Sequence, residues 1–108
     1  MIVARRRRIA PPLKPQPEAV LQRQVIQLAQ VYGWRVYFTY RSKHSPAGWP
    51  DLVLVKPPHM YIWELKADEG RLTPAQSTTL HLLGGCTELS VAVRRPRDWE
   101  TICEELAA

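Results

Sequence analysis

Three charged residues lie at the ends of the two most strand-like segments of this 108-residue chain. Asp51 comes directly before the apolar run 52–55, and Glu64 and Lys66 come at the end of the apolar run 60–65. Paired carboxylates hold divalent cations, and a neighbouring lysine can act on groups that react beside the ion. These residue types indicate metal-dependent hydrolysis of a phosphodiester, provided that the fold brings them together.

The turn between the two runs predicts that the three charges converge. With Pro57 and Pro58 at the centre of an antiparallel hairpin, counting outward along both strands places Asp51 opposite Glu64. Directly opposed residues have Cβ atoms ~4.5–5.5 Å apart, and side chains two residues apart lie on the same face of a strand. Lys66 is therefore expected on the face that carries both acids.

Two carboxylates at that separation repel each other unless a cation lies between them. Mg²⁺ suits such a site because it binds one or two carboxylates, keeps several waters and coordinates phosphate; Mn²⁺ accepts the same ligands. Lys66 can then orient or help to deprotonate an attacking water, or stabilise charge on the phosphate. The alternative, for each residue taken alone, is an ordinary charge at the solvated end of a strand.

The elements that position these residues follow from hydrophobic periodicity and from Gly and Pro punctuation. The predicted elements are a helix at 18–32, strands at 34–40, 52–55 and 60–65, a helix from Thr73 to about Leu83, a strand at 89–93 and a helix from Asp98. Three consecutive strands predict a meander, and the strand–helix–strand unit after them predicts a parallel pair. The expected fold is α/β, with a mixed four-stranded sheet flanked by helices in the order αβββαβα.

Composition is typical of a single-domain intracellular protein. The 45% hydrophobic content is enough for one modest core, and two isolated cysteines, Cys86 and Cys103, indicate neither a disulfide framework nor a zinc site. No segment approaches the ~20 apolar residues of a membrane span, and no signal peptide is visible. We expect a cytoplasmic protein with a basic Pro- and Arg-rich arm at residues 1–17 and one domain at residues 18–108.

The charge balance favours a polyanionic partner. Fifteen Lys and Arg against ten Asp and Glu give a net charge of +5. The basic candidates for phosphate contact are Arg5, Arg6, Arg7 and Arg8 in the arm and Arg41, Lys43 and His44 in the loop before Asp51. Contacts of this kind would release counterions from DNA. The alternatives are an arm kept for solubility and an ordinary solvated loop.

Three segments, "GWPDLVLV", "YIWELK" and "GRLTPAQ", together resemble the VRR-NUC domain, the virus-type replication and repair nuclease branch of the PD-(D/E)xK superfamily. The resemblance covers about residues 18 to 95 and is to the small standalone proteins of phages and bacteria. It implies a restriction-endonuclease-like core and DNA cleavage. Compact members of the family resemble Holliday junction resolvases, so the cytoplasm of a bacterial or phage-infected cell is the expected location.

The resemblance also implies roles for individual residues. It makes Asp51 and Glu64 metal ligands, the Leu65 backbone carbonyl a further ligand and Lys66 the catalytic lysine. Two more positions match the family pattern, and each has an alternative explanation.

Glu18, in the first helix, matches a glutamate that reaches the metal directly or through water; the alternative is an acid favoured by the helix dipole. Gln76 matches a glutamine near the active site. It can also close a capping box with Thr73, with Pro74 in the first helical position. Both roles of Gln76 are compatible.

The resulting hypothesis is a metal-dependent, structure-selective DNA endonuclease with a four-way junction as its leading substrate. The alternatives are a flap or nicking nuclease of DNA repair and a non-catalytic DNA-binding module with the same fold. Resolving a four-way junction needs two nicks related by two-fold symmetry, whereas one small domain offers one site. We therefore expect a homodimer with two-fold symmetry, and the alternative is a monomer that nicks one strand at a time.

Overall fold

The computed structural model describes residues 16–39, 47–86 and 90–108. These residues form an α/β fold with one mixed four-stranded sheet and three α-helices. The elements in chain order are α1 (Glu18–Val31), β1 (Arg35–Phe38), β2 (Leu52–Lys56), β3 (His59–Leu65), α2 (Pro74–Gly84), β4 (Ser90–Arg94), a 3₁₀ turn (Pro96–Asp98) and α3 (Trp99–Leu106). The predicted order αβββαβα is confirmed.

All of the basic residues proposed to contact phosphate lie outside the described residues. These are Arg5, Arg6, Arg7 and Arg8 of the arm and Arg41, Lys43 and His44 of the loop that follows β1. The phosphate contacts predicted for them therefore stay predictions. Within the described part of the chain, no helix is long and apolar enough to cross a bilayer.

The sheet has the strand order β1-β2-β3-β4. Its first three strands form the predicted antiparallel meander, and β4 joins β3 in parallel, as expected for a strand–helix–strand unit. Leu52 pairs with Trp63 and Lys56 with His59. This is the register that the two prolines of the turn predict, and it fixes which residues share a face.

One face of the sheet packs against α1 and α3 and forms the core. The buried cluster comprises Leu21, Val25 and Ala29 of α1, Ile102 and Leu106 of α3, and Leu52, Leu54, Tyr61, Trp63 and Leu65 of the sheet, with Trp34 beside them. Since side chains alternate along a strand, Glu64 lies on the opposite face from Trp63 and Leu65. Helix α2 packs against β4 and reaches Glu64 from that opposite face.

Strand boundaries differ from prediction by one or a few residues. Trp34 does not open β1, because its backbone N–H bonds to the Ala29 carbonyl at the end of α1 (2.9 Å) and its indole Nε1 donates to the Leu106 carbonyl (2.8 Å). Both bonds tie this residue to the helices rather than to the sheet. Conversely, Lys56 and His59 pair directly across the two-residue turn, which lengthens β2 and β3 by one residue each.

Candidate active site

Asp51 and Glu64 meet at the end of the hairpin where β2 begins and β3 ends. Asp51 directly precedes β2, and its Oδ2 accepts a hydrogen bond from the backbone N–H of Leu65 at 2.9 Å. The register that pairs Leu52 with Trp63 brings Asp51 opposite Glu64 when it is continued by one residue. Asp51 raises the pKa of Glu64 both by its negative charge and as a hydrogen-bond acceptor for the protonated form of Glu64. The predicted convergence of the acids is therefore present.

Glu64 is a buried acid, with a relative exposure of 1%. Its Oε2 accepts a hydrogen bond from the side-chain amide of Gln76 at 3.1 Å, and the Lys66 ammonium lies 3.9 Å from the same oxygen. Its other oxygen, Oε1, is buried and has no hydrogen-bond donor among the residues that the structure describes. A buried carboxylate oxygen without a partner is unfavourable, so Glu64 is poised to take up a proton or a cation.

The pKa of Glu64 rises from its ordinary value of 4.5 to about 8. Burial is the largest cause, because it disfavours the charged form; the negative charge of Asp51 and the hydrogen bond between the two carboxyl groups raise the pKa further. Lys66 lowers it, and the charge of Glu18 raises it slightly. In the absence of a cation, the acid pair therefore retains a proton at neutral pH.

Gln76 closes the capping box of α2 and also contacts the acid pair. The Thr73 hydroxyl accepts from the Gln76 backbone N–H at 3.1 Å, and the Gln76 Oε1 accepts from the Thr73 backbone N–H at 2.9 Å, which completes the capping box of α2. The amide nitrogen of the same side chain is left to donate to Glu64. Because the cap occupies the oxygen, the orientation of the amide at the acid is fixed.

Gly48 is a structural requirement of the site that sequence patterns did not single out. Its φ is +88°, and a Cβ placed there would lie 2.4 Å from the Ala75 carbonyl oxygen in the first turn of α2. The loop that leads to Asp51 therefore lies directly on the helix that carries Gln76. In the sequence, Gly48 is loop punctuation and the first residue of the segment "GWPDLVLV", but its approach to α2 leaves no local signal because the two backbones are distant in sequence.

Arg95 braces the loop that follows Lys66. Its Nη1 donates to the carbonyl oxygens of Ala67, Asp68 and Gly70 at 2.8, 3.2 and 2.8 Å. Three bonds from one guanidinium hold this loop in one conformation between the end of β3 and the start of α2. The basic residues after β4 gave no signal in the sequence beyond their positive charge.

The donor set of the pair suits a hard divalent cation. Asp51 and Glu64 supply carboxylate oxygens, and the unpartnered Oε1 of Glu64 is an acceptor that a cation would satisfy. In residues 16–39, 47–86 and 90–108, no group of three or more His, Cys, Asp or Glu residues is placed to hold an ion. Glu18 contributes charge but is not gathered with the pair, so its role as a ligand, like that of the Leu65 carbonyl, stays a prediction.

Comparisons with protein-family models, with curated proteins and with solved structures find no match to this chain. The VRR-NUC resemblance therefore stays a prediction that rests on the three quoted segments. The functional interpretation depends on the geometry of Asp51, Glu64, Lys66 and Gln76.

Proposed function

We propose that this protein is a metal-dependent DNA endonuclease of the VRR-NUC type, with a restriction-endonuclease-like PD-(D/E)xK core. The observation that carries the proposal is the buried Glu64, paired with Asp51, bonded to Gln76 and 3.9 Å from the Lys66 ammonium. A carboxyl group with a strongly raised pKa, beside a second acid and a lysine at one sheet end, is typical of a reaction site. A structural ion pair would not need the second acid.

Asp51 and Glu64 are the residues that would hold Mg²⁺ or Mn²⁺, with the Leu65 carbonyl and Glu18 as proposed further ligands. A cation bound there would polarise the scissile phosphate and lower the pKa of a coordinated water. Groups of the protein orient both acids before substrate binds. The Leu65 N–H orients Asp51, and the capped amide of Gln76 orients Glu64, so neither carboxylate must be ordered when substrate arrives.

Lys66 supplies the fixed positive charge of the site. Its ammonium lies close enough to Glu64 to act on the same substrate oxygens, and it would orient an attacking water or stabilise charge that develops on the phosphate. Arg95 fixes the loop that follows Lys66 through three carbonyl bonds. The backbone on the C-terminal side of the lysine is therefore preorganised.

The net charge of +5 supports a polyanionic substrate, and the resemblance supports branched DNA of the Holliday junction type. One acid pair per chain supports a two-fold symmetric homodimer for a reaction that needs paired nicks. A flap or nicking repair nuclease would use the same residues as a monomer. A non-catalytic DNA-binding module would keep the fold and bind DNA without cutting it.

The test is cleavage of linear, flap and four-way DNA by purified protein with Mg²⁺, with Mn²⁺ or with a chelator. We expect cleavage only with metal, and we expect Asp51→Asn and Lys66→Met to abolish cleavage while DNA binding persists. Glu69→Gln and Lys56→Met are the controls, because they neutralise one acid and one lysine away from the acid pair. Cutting by Lys66→Met at the wild-type rate would favour the DNA-binding module over the nuclease.

A further inference from the structure

The sheet face that carries Asp51 presents an exposed tyrosine on β1. Tyr37 pairs with Val53, which lies two residues from Asp51 on the same face, and the Thr39 N–H bonds to the Asp51 carbonyl at 3.0 Å. Tyr37 is thus the diagonal neighbour of Asp51, a relation that places Cβ atoms ~7–8 Å apart. Its relative exposure is 55%. Helix α2 packs against β4 at the other edge of the sheet and leaves this aromatic ring exposed.

Trp49 is a second exposed aromatic residue, two positions before Asp51 in the chain. It is 44% exposed, whereas Trp34 and Trp63 are buried and Trp99 packs against the core. Its backbone is held on both sides: Gly48 lies on the first turn of α2, and Pro50 is fully buried. An indole that is 44% exposed, on a backbone held at Gly48 and Pro50 and two residues from Asp51, is available for binding.

Arg35 adds positive charge to the same strip of surface. It lies two residues before Tyr37, hence on the same face, and its guanidinium carbon is 5.9 Å from the centroid of the Tyr37 ring. The arginine is exposed. A cation beside exposed rings is the combination by which proteins hold single-stranded nucleic acid, with phosphates on the cation and bases on the rings.

We propose that Arg35, Tyr37 and Trp49 form a stacking surface that holds unpaired nucleotides of the DNA substrate next to the acid pair. This inference rests on the proposed function and specifies its substrate. In a duplex the faces of the bases are stacked on each other, so an aromatic ring can stack only on a base that lies outside the duplex. The enzyme would therefore cut beside unpaired nucleotides, as in a flap or an opened junction.

Charge favours DNA over a second copy of the chain as the occupant of this surface. A second copy would bring a protein of net charge +5 against a face that already carries Arg35, whereas DNA brings phosphates of opposite charge. Continuity with the acid pair points the same way. Nucleotides held on Tyr37 and Trp49 would lead directly to the phosphate that the site acts on.

The test compares the affinity of the full chain for two DNAs in EDTA, by fluorescence anisotropy. One is a blunt duplex and the other has the same duplex with a single-stranded arm. We expect tighter binding of the armed DNA, and we expect Tyr37→Ala and Trp49→Ala each to weaken that binding by about 5- to 150-fold, the contribution of one stacked base. Binding of the blunt duplex should not change.

Two further kinds of variant serve as controls for the binding test. Tyr37→Phe and Trp49→Phe keep an aromatic ring and should retain the preference for the armed DNA. Tyr32→Ala removes a tyrosine of 39% exposure that lies just beyond the end of α1 and outside the sheet, and should have no effect. All variants alter exposed side chains, so unchanged urea midpoints will verify that they fold.

If Tyr37→Ala and Trp49→Ala weakened binding of both DNAs equally, or of neither, the stacking surface would be overturned. A shift from dimer to monomer in Tyr37→Ala, seen by sedimentation without DNA, would assign this face to a second copy and would also overturn it. The metal-dependent cleavage assay is a separate readout. If wild-type protein prefers the armed DNA but never cuts it, the stacking surface stands and the nuclease is excluded; if it cuts without that preference, only the stacking surface fails.

Discussion

The raised pKa of Glu64 predicts that the metal-free protein loses stability as the pH rises. The unfolded chain releases this proton near pH 4.5, whereas the folded protein keeps it to about pH 8. Between these values the unfolded state binds fewer protons, so the free energy of unfolding falls with increasing pH. Over this pH range the free energy of unfolding falls by roughly 5 kcal/mol, because the pKa rises from 4.5 to about 8 and each pKa unit corresponds to about 1.4 kcal/mol.

A neutral isostere isolates this contribution. We expect Glu64→Gln to approach the wild type in stability as the pH falls below about 4, where Glu64 is protonated in both states, and to exceed it by several kcal/mol at pH 9. The assay is urea unfolding followed by tryptophan fluorescence, in EDTA, at about pH 4, 7 and 9. Glu69→Gln, which changes an exposed acid two residues beyond Ala67, is the matched control and should follow the wild type at each pH.

Adding Mg²⁺ tests the same pKa assignment in a second way. A cation that binds the folded acid pair replaces the retained proton, so Mg²⁺ should stabilise the wild type most at pH 9, by about 2.7 kcal/mol at one hundred times its dissociation constant. It should have a much smaller effect on Glu64→Gln, which offers only one of the two carboxylates. A stability difference between the two proteins that does not depend on pH would refute the assignment of the raised pKa to Glu64.

Four further predictions follow from the site, the glycines, the arm and the symmetry of the substrate. Mg²⁺ binding near pH 7 should release close to one proton. The heat of binding, measured by calorimetry, should then vary with the ionisation enthalpy of the buffer. A heat of binding that is the same in every buffer would contradict this prediction. Gly33 has φ +85° and open space around it, so Gly33→Ala should lower the free energy of unfolding by only about 1–2 kcal/mol, the cost of a left-handed backbone at alanine. Gly48→Ala should also weaken Mg²⁺ binding, because its Cβ would displace the Asp51 loop from α2. Equal Mg²⁺ affinities of the two variants would show that the position of this loop does not affect the metal site. Deleting residues 2–12 should flatten the slope of log affinity against log salt, and an unchanged slope would exclude the arm from DNA contact. Mixing wild type with Asp51→Ala should yield singly nicked four-way junctions if the enzyme is a homodimer; undiminished paired nicking by a protein that sediments as a monomer would exclude the dimer.

The hairpin could be predicted from sequence because its information is local. Pro57 and Pro58 mark the turn, the flanking runs are apolar, and a two-residue turn leaves one register in which Asp51 faces Glu64. The capping box of α2 was predictable for the same reason, since Thr73 and Gln76 are three residues apart. Both elements of the site that depend on short-range chemistry are therefore predictable from the sequence.

The remaining parts of the site depend on contacts between segments distant in sequence. The approach of Gly48 to Ala75 and the three bonds from Arg95 to the loop after Lys66 each join residues 25 to 28 positions apart in the chain. Neither contact can be predicted from a periodicity or a motif in the sequence. The exposure of Tyr37 is equally a tertiary property, because an aromatic residue in a strand is as suited to the core as to a binding surface.

The shared amide of Gln76 restricts which residues this position can tolerate. Glutamate could accept the Thr73 N–H and keep the helix cap, but it has no hydrogen to donate to an ionised Glu64 and would add a third negative charge. Lysine or arginine could donate to Glu64 but cannot accept from the cap. Asparagine has the right groups on a shorter side chain. A helix start that usually admits either Glu or Gln is thereby narrowed to Gln, so sequence drift at position 76 is limited by an acid twelve residues earlier in the chain.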